Sequence, residues 1–366
     1  MKKTIKNKNS FSNSNFKLFK NKKVIITGFN GFKGSWLSIW LSLLGAKVYG
    51  ISLKNKNKNN HYNIVKSKLA LKEIYIDIRD KKKIVNIFKK INPDFVFHLA
   101  AQSLVYNSIK KPSLNWETNV IGFLNILIAL NNLKKKCTAI LITSDKCYKN
   151  YEKKKGYYET DELGGEDPYS ASKASSEILF NSFFKTYIKN QNNYLRIATA
   201  RAGNVVGGGD WSELRLIPDC MKKWLKNKNV LIRNPYSTRP WQHVLEALNG
   251  YLLLAENLNK NKKLNGSSFN FSSNKIKNVT VVELISKINK IWPQAKWQIM
   301  KKTNFHETAQ LQLNSSKAKK SLNWEAKLNL NQTISFIVSW YKNYQTDKKN
   351  TFYTSKDQII KFMKKS

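Results

Sequence analysis

The chain has 366 residues, 41% of them apolar, and sets 65 Lys and Arg against 23 Asp and Glu, a formal charge of +42. That length supports one large domain or two modest ones with a sizeable core. No apolar run approaches the roughly 20 residues of a membrane span, and the Lys/Asn/Ser-rich start lacks the apolar stretch of a secretion signal. The three cysteines, Cys137, Cys147 and Cys220, are odd in number and far apart, which suits a reducing cytoplasm and gives no disulfide framework or metal-ligand pattern. The charge excess is mostly lysine interleaved with asparagine, as in Lys54-Asn55-Lys56-Asn57-Lys58, and it is spread along the whole chain. It reads as compositional drift, with salt-sensitive sticking to polyanions but no specific nucleic-acid or membrane partner.

In chain order, residues 1–20 are expected to be a frayed extension. Residues 23–27 form a short β-rich run ending in glycine, residues 32–44 a helix and residues 47–53 a second strand. A strand at 74–76, a helix at 81–91, a strand at 95–99, a long helix at 114–133 and a strand at 139–143 continue the rhythm. A helix at 167–190 and a strand at 194–200 close it. Strands alternating with helices predict a Rossmann-type, doubly wound parallel sheet, α/β in class, with ligands beyond the carboxyl ends of its strands. After about residue 207 the rhythm loosens, with helices near 218–226, 243–258, 280–291 and 330–344. The expected organisation is a nucleotide-binding domain over 21–206, a smaller, mostly helical lobe over 207–346, partly interleaved with it, and a polar, loosely helical tail over 347–366.

Gly28-Phe29-Asn30-Gly31-Phe32-Lys33-Gly34 lies between the first strand and first helix. Glycines there permit a tight turn and close approach of a pyrophosphate, which the helix N-terminus stabilises. The acid that usually ends the second strand is absent; the segment reads Gly50-Ile51-Ser52-Leu53-Lys54, which leaves NAD and NADP both open. Asp77 can accept a hydrogen bond from an adenine amino group or cap the helix that follows.

Thr143-Ser144-Asp145-Lys146 closes the strand at 139–143, and Asp167-Pro168-Tyr169-Ser170-Ala171-Ser172-Lys173 opens the next helix. Asp167 suits an N-cap and Pro168 the first helical position. Tyr-x-x-x-Lys also occurs at Tyr62, Tyr106, Tyr151 and Tyr344, so context selects Tyr169. A phenol with a normal pKa of about 10 is a poor base at neutral pH, and Lys173, one turn away, is expected to lower it.

These blocks, with His98-Leu99-Ala100-Ala101-Gln102, Gly207-Gly208-Gly209-Asp210-Trp211 and Arg239-Pro240-Trp241-Gln242-His243-Val244, resemble the extended short-chain dehydrogenase/reductase family. The last two, and Asp145-Lys146-Cys147-Tyr148, point to its branch of dehydratases acting on cytidine-linked sugars. The resemblance covers residues 22–341. It implies a cytoplasmic, NAD-using homodimer with a nucleotide-sugar substrate, paired through the helices at 114–133 and 167–190. Carried onto matching positions, it implies a cofactor site around Gly28, Phe29, Asn30, Gly31, Phe32 and Gly34. Asp77 and Ile78, Leu99 to Gln102 through Ala100 and Ala101, Asn119, and Tyr169 with Lys173 complete that site.

For the chemistry it implies Ser144, Tyr169 and Lys173 at the oxidised carbon, with Asp145 and Lys146 sharing the acid and base roles of a water elimination. Asp145 is the expected acid. Gln102, Ser144, Asn204, Arg215, Arg239 and His243 are the implied substrate contacts, although His243 alone reads as a structural hydrogen-bonder. Tyr106, Asn107, Ile109 and Tyr158 depart from the family pattern. The rivals are a 4-epimerase or GDP-mannose dehydratase of the same fold, an NADP-linked reductase, or a silent basic scaffold, which would have no need of Tyr169.

Overall fold

The computed structural model describes residues 16–365 apart from 192, 239, 274–275, 277–278 and 301–310. Its strands are β1 (Lys23–Thr27), β2 (Lys47–Ser52), β3 (Leu71–Tyr75), β4 (Phe95–His98), β5 (Cys137–Ile142) and β6 (Leu195–Ala202). The short β7 (Val205–Val206), β8 (Val230–Ile232), β9 (Gln242–His243), β10 (Ser268–Phe271) and β11 (Trp297–Ile299) follow. Seven of them make one sheet in the order β10-β6-β5-β4-β1-β2-β3, and every pairing in it is parallel. β1 lies between β2 and β4, so the strand order reverses at the carboxyl end of β1, where such sheets open a crevice for ligands.

The helices over the first six strands are α1 (Phe32–Leu43), α2 (His61–Val65), α3 (Lys81–Ile91), α4 (Val105–Lys110), α5 (Pro112–Trp116), α6 (Gly122–Asn131) and α7 (Pro168–Phe183). Beyond them come α8 (Leu216–Trp224), α9 (Val244–Lys260), α10 (Val281–Ile291), α11 (Ser316–Leu322), α12 (Leu330–Thr346) and α13 (Thr351–Met363). Successive strand residues feed two cores, as a two-residue side-chain period requires. Val24, Ile26, Phe95 and Phe97 pack with α1 and α9 on one face. Ile25, Val96, Ala139 and Leu141 pack with α3, α6 and α7 on the other. No described helix is long and apolar enough to cross a membrane.

Several boundaries depart from the sequence expectation. The long helix at 114–133 is α5 and α6 joined by a π-helical turn, Glu117–Ile121. The helix at 167–190 ends in a second π turn, Phe184–Ile188. Within the expected extension, Phe16 and Phe19 are buried, and the Phe19 ring lies 4.8 Å from that of Phe95. Residues 1–15 lie outside the described residues. The expected loose tail is α13, whose Ile359 and Phe362 are fully buried, with Phe362 edge-on to Trp40 of α1 at 5.7 Å. Alternating charges hid that apolar face. β10, from the C-terminal part, joins the main sheet beside β6.

Beneath the carboxyl edge of the sheet is a buried ion pair. Arg201 of β6 donates to Glu177 of α7 from Nε at 3.0 Å and from a terminal nitrogen at 2.8 Å. Glu177 also accepts from the hydroxyls of Thr143 (2.5 Å), Thr199 (2.9 Å) and Ser268 (3.2 Å). Removing one partner leaves a charge in apolar surroundings. Arg201→Leu is therefore expected to cost about 3–5 kcal/mol of stability, read as a lower urea midpoint.

Candidate active site

At the carboxyl end of β1 the chain turns at Gly28, with φ of +71°. A Cβ there would stand 2.8 Å from the Ala100 nitrogen, and one on Gly34 would collide with the Gly28 carbonyl oxygen. Gly31 is the N-cap of α1 and offers no side-chain cap, so the first amides of α1 face outward unpaired. A glycine cradle under uncapped helix amides fits the pyrophosphate of a dinucleotide. Leu99, Ala100 and Ala101 close the opposite wall, where the Thr27 hydroxyl accepts from the Ala100 nitrogen at 3.2 Å.

Some predicted cofactor residues act through the backbone or at one remove. The Phe29 ring is buried beneath Gly50 and against Tyr62, so it offers a ligand only its main chain. Asn30 donates to the Leu53 carbonyl (2.7 Å) and accepts from the Ser52 hydroxyl (2.6 Å), locking the turn to the end of β2. Phe32 leans toward Gly207 and Val244. Asp77 is forked by Arg79 at 2.7–3.2 Å, and Arg79 also pairs with Glu117; Ile78 packs on Gly122. Asn119, at the π turn, clasps both backbone groups of Gln102 at 2.8 and 3.0 Å and donates to the Ser172 hydroxyl at 2.9 Å. It positions the Gln102 loop. At the end of β2 the Lys54 ammonium rests 5.5 Å from the centre of the Tyr75 ring.

The catalytic set does converge. β5 is followed by Thr143 and Ser144, and Asp145–Cys147 forms one 3-10 turn. Asp167 caps α7 through the amides of Tyr169 and Ser170, at 2.9 and 3.0 Å, with Pro168 first in the helix. This places Tyr169 in hydrogen-bonding contact with Ser144. The Ser144 hydroxyl also donates to Asp145 at 2.9 Å.

The electrostatics correct the expectation for Tyr169. Burial raises its pKa to about 12, and what opposes burial is the Ser144 hydrogen bond and the Arg215 charge. Lys173 is itself pushed down to about 8 by burial, Glu177 only partly offsetting it. It has therefore lost its proton well before the phenol titrates. Burial also raises the Asp145 carboxyl, against the pull of Lys146, Ser144 and Lys33.

Two participants were missed. Lys33, in the glycine turn, donates to the Tyr251 hydroxyl of α9 at 3.3 Å. Its pKa falls to about 8, first by burial and then by Arg215. Tyr251 is fully buried and feels Asp145 and Tyr169. The interposed Lys33 between two glycines was the available signal; Tyr251 had none. Of the expected substrate contacts, Arg215 does face Tyr169 and Lys33. Asn204 is exposed beside Gly203, which borders the Asp145 carboxylate. His243 is buried, capping α9 by accepting from the Leu245 nitrogen at 3.3 Å, with Trp36 and Phe336 against its ring. Its part in the fold is to cap α9, while its Nε2 is buried with no hydrogen-bond partner among the described residues. Arg239 lies outside the described residues.

A glycine cradle at the switch point of a parallel sheet, with a serine, tyrosine and lysine set beside it, defines a dinucleotide-dependent enzyme of the short-chain dehydrogenase/reductase class. The family model for GDP-mannose 4,6 dehydratase matches residues 25–336, and the chain belongs to that family. It is 39% identical to CDP-glucose 4,6-dehydratase of Salmonella typhimurium over 88% of this chain and 90% of that one. It is 27% identical to UDP-glucose 4-epimerase of Mycoplasma genitalium over 89% and 98% of the two chains. Among solved structures, Thermotoga maritima UDP-glucose 4-epimerase with UDP-glucose superposes with a TM-score of 0.76 at 24% identity, covering 89% of this chain and 100% of that one. The dTDP-glucose 4,6-dehydratase of Bacillus anthracis in complex with NAD gives 0.72 at 21% identity, covering 88% and 97%.

Lys33 and Lys173 stand near 8 in the fold against an ordinary 10.5. Between those values the unfolded chain binds more protons, so both groups make the ligand-free fold gain stability as pH rises. Urea midpoints are expected to climb from about pH 7.5 to about pH 9.5, and Lys33→Met to flatten the climb without reversing it.

Proposed function

We propose that the protein is a hydro-lyase that converts CDP-glucose to CDP-4-keto-6-deoxyglucose and water with NAD as a recycled cofactor. The observation that carries this reading is the Ser144-Asp145-Lys146 turn beside Tyr169 and Lys173. An epimerase has no use for an acid and base pair next to its oxidised carbon. The 39% identity to a CDP-glucose 4,6-dehydratase over most of both chains supports the cytidine sugar.

NAD, when bound, accepts hydride from carbon 4 and returns it to carbon 6. The Gly28 to Gly34 turn, the amides of α1 and the Leu99 to Gln102 wall would hold it, with Tyr169 and Lys173 serving the reacting end. Tyr169 takes the proton of the 4-hydroxyl, and Ser144, bonded to the phenol, steadies the developing negative charge. In the free protein that phenol is held near 12. A nearby positive charge is therefore required, and Arg215 is the protein's own contribution.

The 4-ketone acidifies carbon 5. Lys146 is the partner for the carbon-5 proton. Asp145, whose carboxyl burial raises above its ordinary value, is the acid for the departing 6-hydroxyl. Arg215, and Arg239 by resemblance, serve the diphosphate, because a guanidinium fork matches phosphate oxygens. Incubation with CDP-glucose and catalytic NAD in deuterated water is expected to remove one water, place deuterium at carbon 5 and accumulate no NADH. Tyr169→Phe should lower turnover by about a thousandfold. Turnover of UDP-, dTDP- or GDP-glucose alone would sink the cytidine assignment.

The same reading includes a cytoplasmic homodimer. Trp116 of α5, Ile121 of the π turn and Ile178 of α7 are 38%, 49% and 57% exposed on adjoining helices, an apolar patch that a second copy would cover. Ile178→Glu is expected to halve the mass seen by light scattering while leaving the circular dichroism spectrum unchanged.

A further inference from the structure

The segment from Gly207 to Arg215 is fastened more firmly than a loop that merely joins a strand to a helix. The Gly208 carbonyl accepts from the Trp36 indole at 2.9 Å, and a Cβ on Gly208 would run into the Trp340 ring. Gly209 has φ of +79° and lies against His61 and Trp340. The Asp210 carbonyl accepts from the Tyr341 hydroxyl of α12 at 2.7 Å. Trp211 packs on Tyr341 and Tyr344 with ring centres 5.3 and 5.0 Å away. Behind this layer, His61 bridges the hydroxyls of Ser35 at 2.8 Å and Ser355 of α13 at 3.1 Å, and Ser355 also accepts from the Trp340 indole at 2.9 Å. The loop therefore rests on α1, α12 and α13 together.

What this platform holds is a carboxylate. Asp210 is 2% exposed. One of its oxygens accepts from the Ser212 nitrogen at 3.0 Å and hydroxyl at 2.6 Å. The other faces the Arg215 guanidinium at 3.4 Å, and the Arg215 side chain keeps 39% exposure. Between them Leu214 takes φ of +57°, a left-handed conformation that costs a branched residue of order 1 kcal/mol and persists only where its surroundings impose it. The turn is thus bent against preference, delivering an arginine that is anchored on one side and open on the other. The open side faces the site, where its charge reaches both Tyr169 and Lys33.

We infer that Asp210 is a positioning residue that holds the Arg215 guanidinium at the mouth of the site to receive the diphosphate of a nucleotide substrate. The inference rests on the nucleotide-sugar reading above and adds the residue on which the arginine depends. Asp210 touches no reacting atom. It fixes one side of the guanidinium so that little side-chain freedom is lost when phosphate oxygens bind the other.

The test is a double-mutant cycle on Asp210→Asn and Arg215→Ala, read by calorimetric binding of CDP, by KM and kcat for CDP-glucose, and by NAD affinity. Asparagine still accepts from Ser212, so the turn survives and the unfolding temperature stays within a few degrees of wild type. Asp210→Asn is expected to weaken CDP binding and raise KM about tenfold, with NAD affinity little changed. In the Arg215→Ala background it should do nothing further to CDP binding. An equal loss with and without Arg215, or no loss at all, overturns the inference, as does a wild-type protein that fails to bind CDP. Wild-type binding of CDP without dehydration of CDP-glucose would sink the proposed reaction, while the cycle still decides the role of Asp210.

Discussion

Glu177 accepts hydrogen bonds from β6, β10 and the residue that follows β5 at once, and it sits one helical turn beyond Lys173 on α7. The Tyr169 phenol and the Ser144 turn come from different elements, α7 and the segment after β5. Nothing in local sequence sets their separation. The Thr143 hydroxyl, one residue before Ser144, is bound to the same carboxylate that anchors α7. Arg201 then reaches on to the Tyr148 hydroxyl at 2.6 Å, which fixes the far end of the Asp145–Cys147 turn. A buried pair of this kind adds little net stability relative to apolar packing, and its best-attested value is in specifying one arrangement. Here that arrangement is the distance between the Tyr169 phenol and the Ser144 turn.

Above that anchor, the site holds more positive than negative charge. Lys33, Lys173 and Arg215 surround Asp145 and Tyr169. Two of these lysines pay for burial with lowered pKa values. Such a pocket is unfavourable when empty and improves when phosphate-bearing ligands enter, because each brings the missing negative charge. The overall lysine excess is a different matter, being spread over the surface and screened by salt.

Much of this was legible in the residues themselves. The glycine turn, the alternation of strands and helices, and the cap-and-proline start of α7 are local signals, and each lies where its pattern places it. The sense of the Tyr169 titration was not legible. Spacing shows that Lys173 is near, but only the fold shows that both groups are buried and that the lysine yields first. Lys33 could be seen in its motif, yet its direction depends on Tyr251, 218 residues away. Asp210 and Arg215 are close in sequence, but the platform beneath them comes from α12 and α13. The apolar face of α13 escaped notice because Ile359 and Phe362 stand in a segment otherwise rich in lysine and polar residues, far in sequence from the residues they cover. Partners contributed by remote chain segments are what a single sequence conceals.

The place of β10 and α13 bears on how the chain reaches this state on the ribosome. β6 is complete at residue 202, but its neighbour β10 arrives only at Ser268–Phe271. Until then β6 presents an unpaired parallel edge, the kind of surface through which nascent chains associate. Trp40 of α1 waits longer still, for Phe362 of α13. α1 is thus sealed by α13, and a nascent chain that already carries its glycine turn, its serine and its tyrosine still exposes part of its core until α13 has emerged.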